Sequence, residues 1–304
     1  MRRKAFVLLP ISLFFLFVFI VASSVRSEEG YVGSETCKGC HEDAFNSYAK
    51  SIHAKKAIPG SPVNTGECES CHGPGAEHAE KGGGKGVAIF AFGKKVDARE
   101  KASKCFACHG ETKNLAFWDS SRHNSADVSC DKCHSVHMGG PGKSLLKLKD
   151  PEVCFECHKN IWAQTNKQSH HPIKEGKIKC NDCHNPHGSF DIKAMIKADS
   201  VNDLCYKCHA EKRGPYAFEH LPVSENCLNC HEIHGSNHGK LLVRKVPYLC
   251  SSCHSTEGHP TRAYNNLHRF GGPATLGKNR FFARSCLNCH GNIHGSSLSE
   301  GFNR

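Results

Sequence analysis

The pentapeptide C-x-x-C-H occurs ten times in this chain of 304 residues. Its first cysteines are Cys37, Cys68, Cys105, Cys130, Cys154, Cys180, Cys205, Cys227, Cys250 and Cys286. Its second cysteines are Cys40, Cys71, Cys108, Cys133, Cys157, Cys183, Cys208, Cys230, Cys253 and Cys289. The closing histidines are His41, His72, His109, His134, His158, His184, His209, His231, His254 and His290. Together the motifs use all 20 cysteines, which leaves no thiol for a disulfide, a nucleophile or a lipid anchor. C-x-x-C-H is the attachment signature of c-type haem. The two thiols become thioethers to the porphyrin, and the adjoining histidine supplies one axial ligand to the iron. Paired cysteines also hold structural zinc, and exported chains use disulfide frameworks. Neither alternative asks for a histidine after the second cysteine every time. Ten covalently attached c-type haems are the expectation.

Residues 1–27 read as an export signal. Arg2, Arg3 and Lys4 form its charged start, Ala5 to Ala22 its apolar run, and small residues follow. About 18 apolar residues can also span a bilayer, so an uncleaved anchor is the alternative. In both cases the rest of the chain is translocated, and c-type haem on an exported chain points to the periplasm. The remainder divides into 28–149, carrying motifs one to four, and 150–304, carrying motifs five to ten.

The exported part is poor in material for an ordinary core. The whole chain has 28 glycines, 13 prolines and a mean hydropathy of −0.48, and the exported part has no long periodic apolar segment. The porphyrins must then be the core, with polypeptide wrapped around them. This predicts a multihaem cytochrome c fold that is mostly irregular, with short α-helices around the haems and little β-structure. Val87–Phe92 is the one stretch that reads as a strand, and it reads equally well as a loop over a haem edge.

First cysteines recur every 22 to 37 residues, and the extra histidines recur with them. Even-numbered motifs have one close behind: His78, His137, His187, His234 and His294. Odd-numbered motifs have one further on: His53, His123, His171 and His220, which lie 11 to 14 residues past the motif histidine. Cys205 to Gly235 therefore holds two motifs and two further histidines, His220 and His234, and reads as a self-contained two-haem unit. Five such units suggest an elongated linear array, and an array of haems is a wire. On that reading, removing everything from about Leu249 leaves eight normally ligated haems. The sixth ligands follow from supply. Only Met138 and Met195 could serve as methionine ligands beyond the signal, against 13 histidines outside the motifs. Two histidines per iron are almost forced, which gives irons closed to exogenous ligands. His170, His238 and His268 are spares, although the spacing rule on its own would give His268 to the ninth motif.

The formal charge of +11 falls to +7 without Arg2, Arg3, Lys4 and Arg26. Each ferric haem brings an iron-porphyrin cation and two propionates, so ten carry the sum to about −3, which removes the case for a nucleic-acid binder.

SADVSCDKCHSVH, KCNDCHNPHGS, SVNDLCYKCHAEKRGP, SENCLNCHEIHGS and RSCLNCHGNIHGS resemble the decahaem periplasmic cytochromes of the MtrA/DmsE/PioA type. The likeness runs from about Ser34 to Arg304. It implies a plug inside an outer-membrane β-barrel porin, exchanging electrons with periplasmic or inner-membrane quinol-linked cytochromes. The partner outside the cell would be an extracellular multihaem cytochrome or reductase. By the same resemblance the distal ligands are His53, His78, His123, His137, His171, His187, His220, His234, His259 and His294, with His259 taking the ninth motif through GHPTRAY. Two other readings stand beside an electron-transfer protein that is not an enzyme. One is a soluble periplasmic shuttle. The other is a multihaem reductase of nitrite, hydroxylamine or a sulfur oxyanion, whose flag would be a C-x-x-C-K motif, and none is present.

Overall fold

The computed structural model describes residues 29–137, 143–255 and 285–303. The export segment, His259 and His268 lie outside them.

Each C-x-x-C-H closes one turn of helix. The histidine N–H bonds the carbonyl of the first cysteine, as in His41 to Cys37, His134 to Cys130, His209 to Cys205 and His290 to Cys286. A helical turn sets residues i, i+3 and i+4 on one face. Both thiols and the imidazole therefore leave the backbone on the same side, which the chemistry of one porphyrin requires. Most helices are little longer than this turn, such as Cys130–Cys133, Cys180–Cys183 and Tyr248–Ser251. The longest, Ala98–His109, starts under Asp97, whose carboxylate accepts from the N–H groups of Arg99 and Glu100.

Odd and even motifs leave their turn differently. After His41 and His158 the chain continues into Glu42–Tyr48 and Lys159–Thr165. After the fourth, sixth and eighth motifs it runs extended and folds back on itself. Isolated bridges pair His134 with Leu146, His184 with Ile196 and His231 with Leu242. The return is made by residues at positive φ, namely Ser144 and Leu145, Met195, Lys240 and Leu241, and Phe302. Such conformations cost about 1–3 kcal/mol each and persist only where surrounding structure fixes them.

No strand occurs among the described residues, so the short-helix, irregular, little-β expectation holds. Val87–Phe92 forms a loop and not a strand. Its Phe90 N–H bonds the His72 carbonyl, and Phe92 packs edge-on against the His72 ring at 5.6 Å. Among the described residues only Tyr48, Ala102, Trp118, Ile173 and Ile196 are buried apolar side chains. That is too little apolar surface to hold a chain of this length by itself. Polar side chains pin the motif turns instead. Asp150 accepts from the N–H groups of Cys180 and Asn181, and the Asn202 side-chain oxygen accepts from Cys227 N–H.

Consecutive units interlock through an His-Gly-Ser turn. Gly188, Gly235 and Gly295 all have positive φ. A Cβ on Gly188 would strike the carbonyl of Phe117, and one on Gly235 the carbonyl of Gln164. The loop after one odd motif thus lies flush on the turn after the next unit's even motif. Bridges Ser169 to Ser236 and Phe218 to Ser296 lock the same contact. Gly188→Ala should therefore lower the unfolding free energy of the haem-loaded protein by about 1–3 kcal/mol. Gly239→Ala, whose Cβ meets nothing within 4 Å, should change it by under about 0.5 kcal/mol. Thermal melts followed in the haem absorption band compare the two.

Candidate haem-binding sites

Nine pairs of histidine rings face each other among the described residues. Their centres are separated by 6.3 Å for His41–His78, 6.0 Å for His53–His109 and 5.9 Å for His72–His137. The next three are His123–His158 at 6.1 Å, His134–His187 at 6.0 Å and His171–His209 at 6.4 Å. The last three are His184–His234 at 6.1 Å, His220–His254 at 6.0 Å and His231–His294 at 6.2 Å. Interplanar angles run from 9° to 79°, so ring stacking does not set this spacing. The gap admits one metal atom bonded to a nitrogen of each ring at about 2 Å, the usual metal–imidazole distance. Every pair joins one motif histidine to one histidine outside the motifs.

The hydrogen bonds fix which nitrogen is available. Nδ1–H of His72, His134, His184, His231 and His290 donates to the carbonyls of Phe90, Ser144, Ala194, Lys240 and Gly301. Those carbonyls lie on the returning segments, beside or within the positive-φ residues. The backbone strain there aims an acceptor at the back of an imidazole. His78 bonds Val87 in the same way. His123, His171 and His220 reach across to Pro186, Ile233 and Ile293. Each of these three carbonyls precedes the distal histidine of the next even motif. A carbonyl only accepts, so the proton sits on Nδ1 and Nε2 keeps its lone pair for a metal. Burial pushes His187 down to about 4, with His134 adding to it, and lowers His137, His234 and His294. These imidazoles are neutral at pH 7, the form that binds iron.

Cysteines of successive motifs meet in chain order. Thiols of Cys37 and Cys68, Cys105 and Cys130, Cys154 and Cys180, Cys205 and Cys227, and Cys250 and Cys286 are close neighbours. Second cysteines join the alternate steps, with Cys71 near Cys108, Cys133 near Cys157, Cys183 near Cys208 and Cys230 near Cys253. The ten motifs thus follow one another in space in the order they follow in sequence. All twenty thiols are free. Asp150, Cys154 and Cys180 cluster closely enough to hold a metal, but the Asp150 oxygens already accept two backbone N–H groups and the cysteines belong to motifs.

The histidine set read from the sequence is brought together almost whole, but the pairing differs from a self-contained unit. Within Cys205 to Gly235 no two histidines face each other. His209 pairs back to His171, His231 forward to His294, His220 forward to His254, and His234 back to His184. Among the pairs of the described residues, only His41–His78 stays inside its unit. At the ninth motif His220 faces His254 at 6.0 Å, while His259 and His268 lie outside the described residues. The His231 ring of the eighth motif faces His294, which lies beyond Leu249. Local spacing misled here because an odd motif and the histidine behind it leave a rigid turn in different directions. His170 is a spare as expected: its Nδ1 bonds the Lys167 carbonyl and its Nε2 bonds Glu175.

Residues 170–214 and 220–259 match the doubled CXXCH motif family, and residues 68–145 match the cytochrome c-type protein NrfB-like family. Over 272 residues the chain is 40% identical to the multiheme cytochrome MtrA of Shewanella baltica, covering 88% of this chain and 80% of that protein. It belongs to the MtrA family of multihaem cytochromes. Two more distant relatives are longer. The high-molecular-weight cytochrome c of Nitratidesulfovibrio vulgaris is 24% identical over 84% of this chain, which spans 44% of it. The polyheme cytochrome OmcB of Geobacter sulfurreducens is 25% identical over 77%, and the chain spans 30% of it. Membership of the MtrA family makes the motifs attachment sites for covalent haem c and the chain an electron-transfer protein. The sites suit the group: two thiols and an imidazole on one face, a second imidazole across a metal-sized gap, and Nδ1 protons tied back.

His170 provides a contrast. His170→Ala should leave every iron low-spin, read as an unchanged ferric spectrum. Its hydrogen bond to Glu175 raises the His170 pKa above the ordinary value. The stability from that pair is complete below about pH 6.5 and is lost as pH rises through the raised value. Glu175→Gln should abolish this pH dependence in thermal melts.

Proposed function

We propose that the chain carries ten haems, each held by two histidines, and conducts electrons along them in motif order through an outer-membrane barrel. The observation that carries this reading is the ordered run of motif contacts combined with the paired histidines. Haem supplies the one-electron chemistry of its iron. The chain supplies the thioether cysteines, the proximal and distal imidazoles, and carbonyls that keep the Nδ1 protons in place. Where both axial positions are filled, no substrate reaches the metal, which favours a conductor over a reductase.

The pairing follows one rule. An odd motif takes its distal histidine from the preceding unit, and an even motif takes its own from the following unit. The first motif has no unit before it and closes with His78. By the mirror of that rule the tenth motif, ending in His290, has no unit after it. It closes with a histidine from between the ninth and tenth motifs, His259 in preference to His268. The list of twenty axial histidines is unchanged, and only the irons they serve are reassigned.

The barrel partner, the outer-membrane-associated periplasmic location and exchange with periplasmic or inner-membrane cytochromes are supported by the kinship with MtrA. The exported character of residues 1–27 supports them too. Among the described residues no helix is long and apolar enough to cross a membrane, so a conducting route across one needs a protein that surrounds the chain.

The test is reconstitution with a candidate barrel in liposomes. An external reductant should bleach a dye trapped inside only when barrel and cytochrome are both present. The chain truncated from Leu249 should fail, and its eighth haem should become high-spin, because His231 loses His294. No bleaching with barrel and cytochrome together, while the cytochrome still exchanges electrons with carriers in solution, would favour a soluble shuttle.

His220→Ala should create one high-spin, carbon-monoxide-binding haem at the ninth motif. His238→Ala should create none. A low-spin His220→Ala protein would overturn the cross-unit rule.

A further inference from the structure

One pair of histidines breaks a pattern that the other pairs keep. In eight of the nine pairs among the described residues, one ring donates its Nδ1–H to a backbone carbonyl. His78, His72, His123 and His134 do so in their pairs. So do His171, His184, His220 and His231. The exception is His53–His109. His53 Nδ1 is buried and has no hydrogen-bond partner. His109, the last residue of Ala98–His109, is exposed, and its ring donates to no backbone carbonyl.

The comparison with other units sharpens the exception. His123, His171 and His220 occupy the position equivalent to His53, and each donates to the carbonyl just before the next even motif's distal histidine. The equivalent acceptor for His53 would be the carbonyl of Val136, and that bond is not made. His53 is held by its backbone instead, since its own carbonyl accepts from the Tyr48 and Ser61 hydroxyls. The ring is therefore placed without being electronically tuned.

A carbonyl behind an imidazole draws on the Nδ1 proton and makes Nε2 a stronger donor. A stronger donor stabilises ferric iron over ferrous and so lowers the reduction potential. An iron whose two imidazoles both lack that carbonyl is the more easily reduced. Resting on the ligation given above, we propose that the third haem, attached at Cys105 and Cys108 between His109 and His53, has the most positive potential in the chain. The first electron to enter settles there. The third motif then acts as a holding point between the first two haems and the rest of the wire.

The experiment is a potentiometric titration of the full haem-loaded protein with dithionite, followed by visible and electron paramagnetic resonance spectra. Haem content and ferric spin state are recorded first. A high-spin haem in the unsubstituted protein would overturn the ligation on which the proposal rests, separately from the ranking. With all haems low-spin, the double variant Cys105→Ser, Cys108→Ser should lose one haem together with the most positive one-electron component. The control Cys154→Ser, Cys157→Ser should lose one haem and keep that component. Retention of the component without the third haem, or its loss in the control, overturns the ranking. If the cysteine variants do not accumulate, His53→Met decides the question, because an axial methionine raises a haem potential. The most positive component itself should move further up while the others stay. A component rising from lower in the titration past an unmoved leader would show that another haem led.

Discussion

An imidazole has two nitrogens, and it binds a metal predictably only if the protein decides which of them carries the proton. In this chain that decision is made almost everywhere by a backbone carbonyl placed behind the ring. Much of the irregular structure exists to supply those carbonyls. The fold-backs after even motifs, their left-handed residues at Ser144, Met195 and Lys240, and the reach of His171 to Ile233 serve one purpose. They present an acceptor to Nδ1 and leave Nε2 pointing at a metal-sized gap. A chain with five buried apolar side chains among its described residues cannot hold twenty histidines by packing alone. It uses its hydrogen bonds as the scaffold and leaves the apolar interior to the porphyrins.

The sequence was most informative where the chemistry is local. A C-x-x-C-H pentapeptide is one helical turn wherever it occurs, so the twenty cysteines and ten proximal histidines could be read by position. The shortage of methionine and the surplus of histidine were equally plain. Pairing was not legible, because it depends on where a segment goes after it leaves the turn. His220 sits 11 residues beyond His209 and belongs spatially with His254. The cause is the flush contact at Gly235 and Gly295, which a count of residues does not reveal. The loop at Val87–Phe92 is ambiguous for a related reason. Alternating apolar residues suit a strand, but here they cover the His72 ring, and the Phe90 carbonyl is claimed by Nδ1 in place of a neighbouring strand.

The hydrogen-bonded scaffold also bears on conduction. Consecutive motifs bring their cysteines near one another, first with first and second with second in alternation. On the function proposed above, the behaviour of such a route depends on the order of potentials along it.

Exchange of distal histidines between neighbours also constrains how such a chain can change length. An interior unit gives one histidine forward and one back, and it receives one from each side. A duplicated interior unit slots between two others and satisfies every exchange without altering its neighbours. A unit added at the front would strand His78, which closes the first motif on itself. The interlock therefore has a grammar in which the ends are fixed words and the middle repeats. Wires of different lengths within such a lineage would be expected to share their termini and differ in their interior.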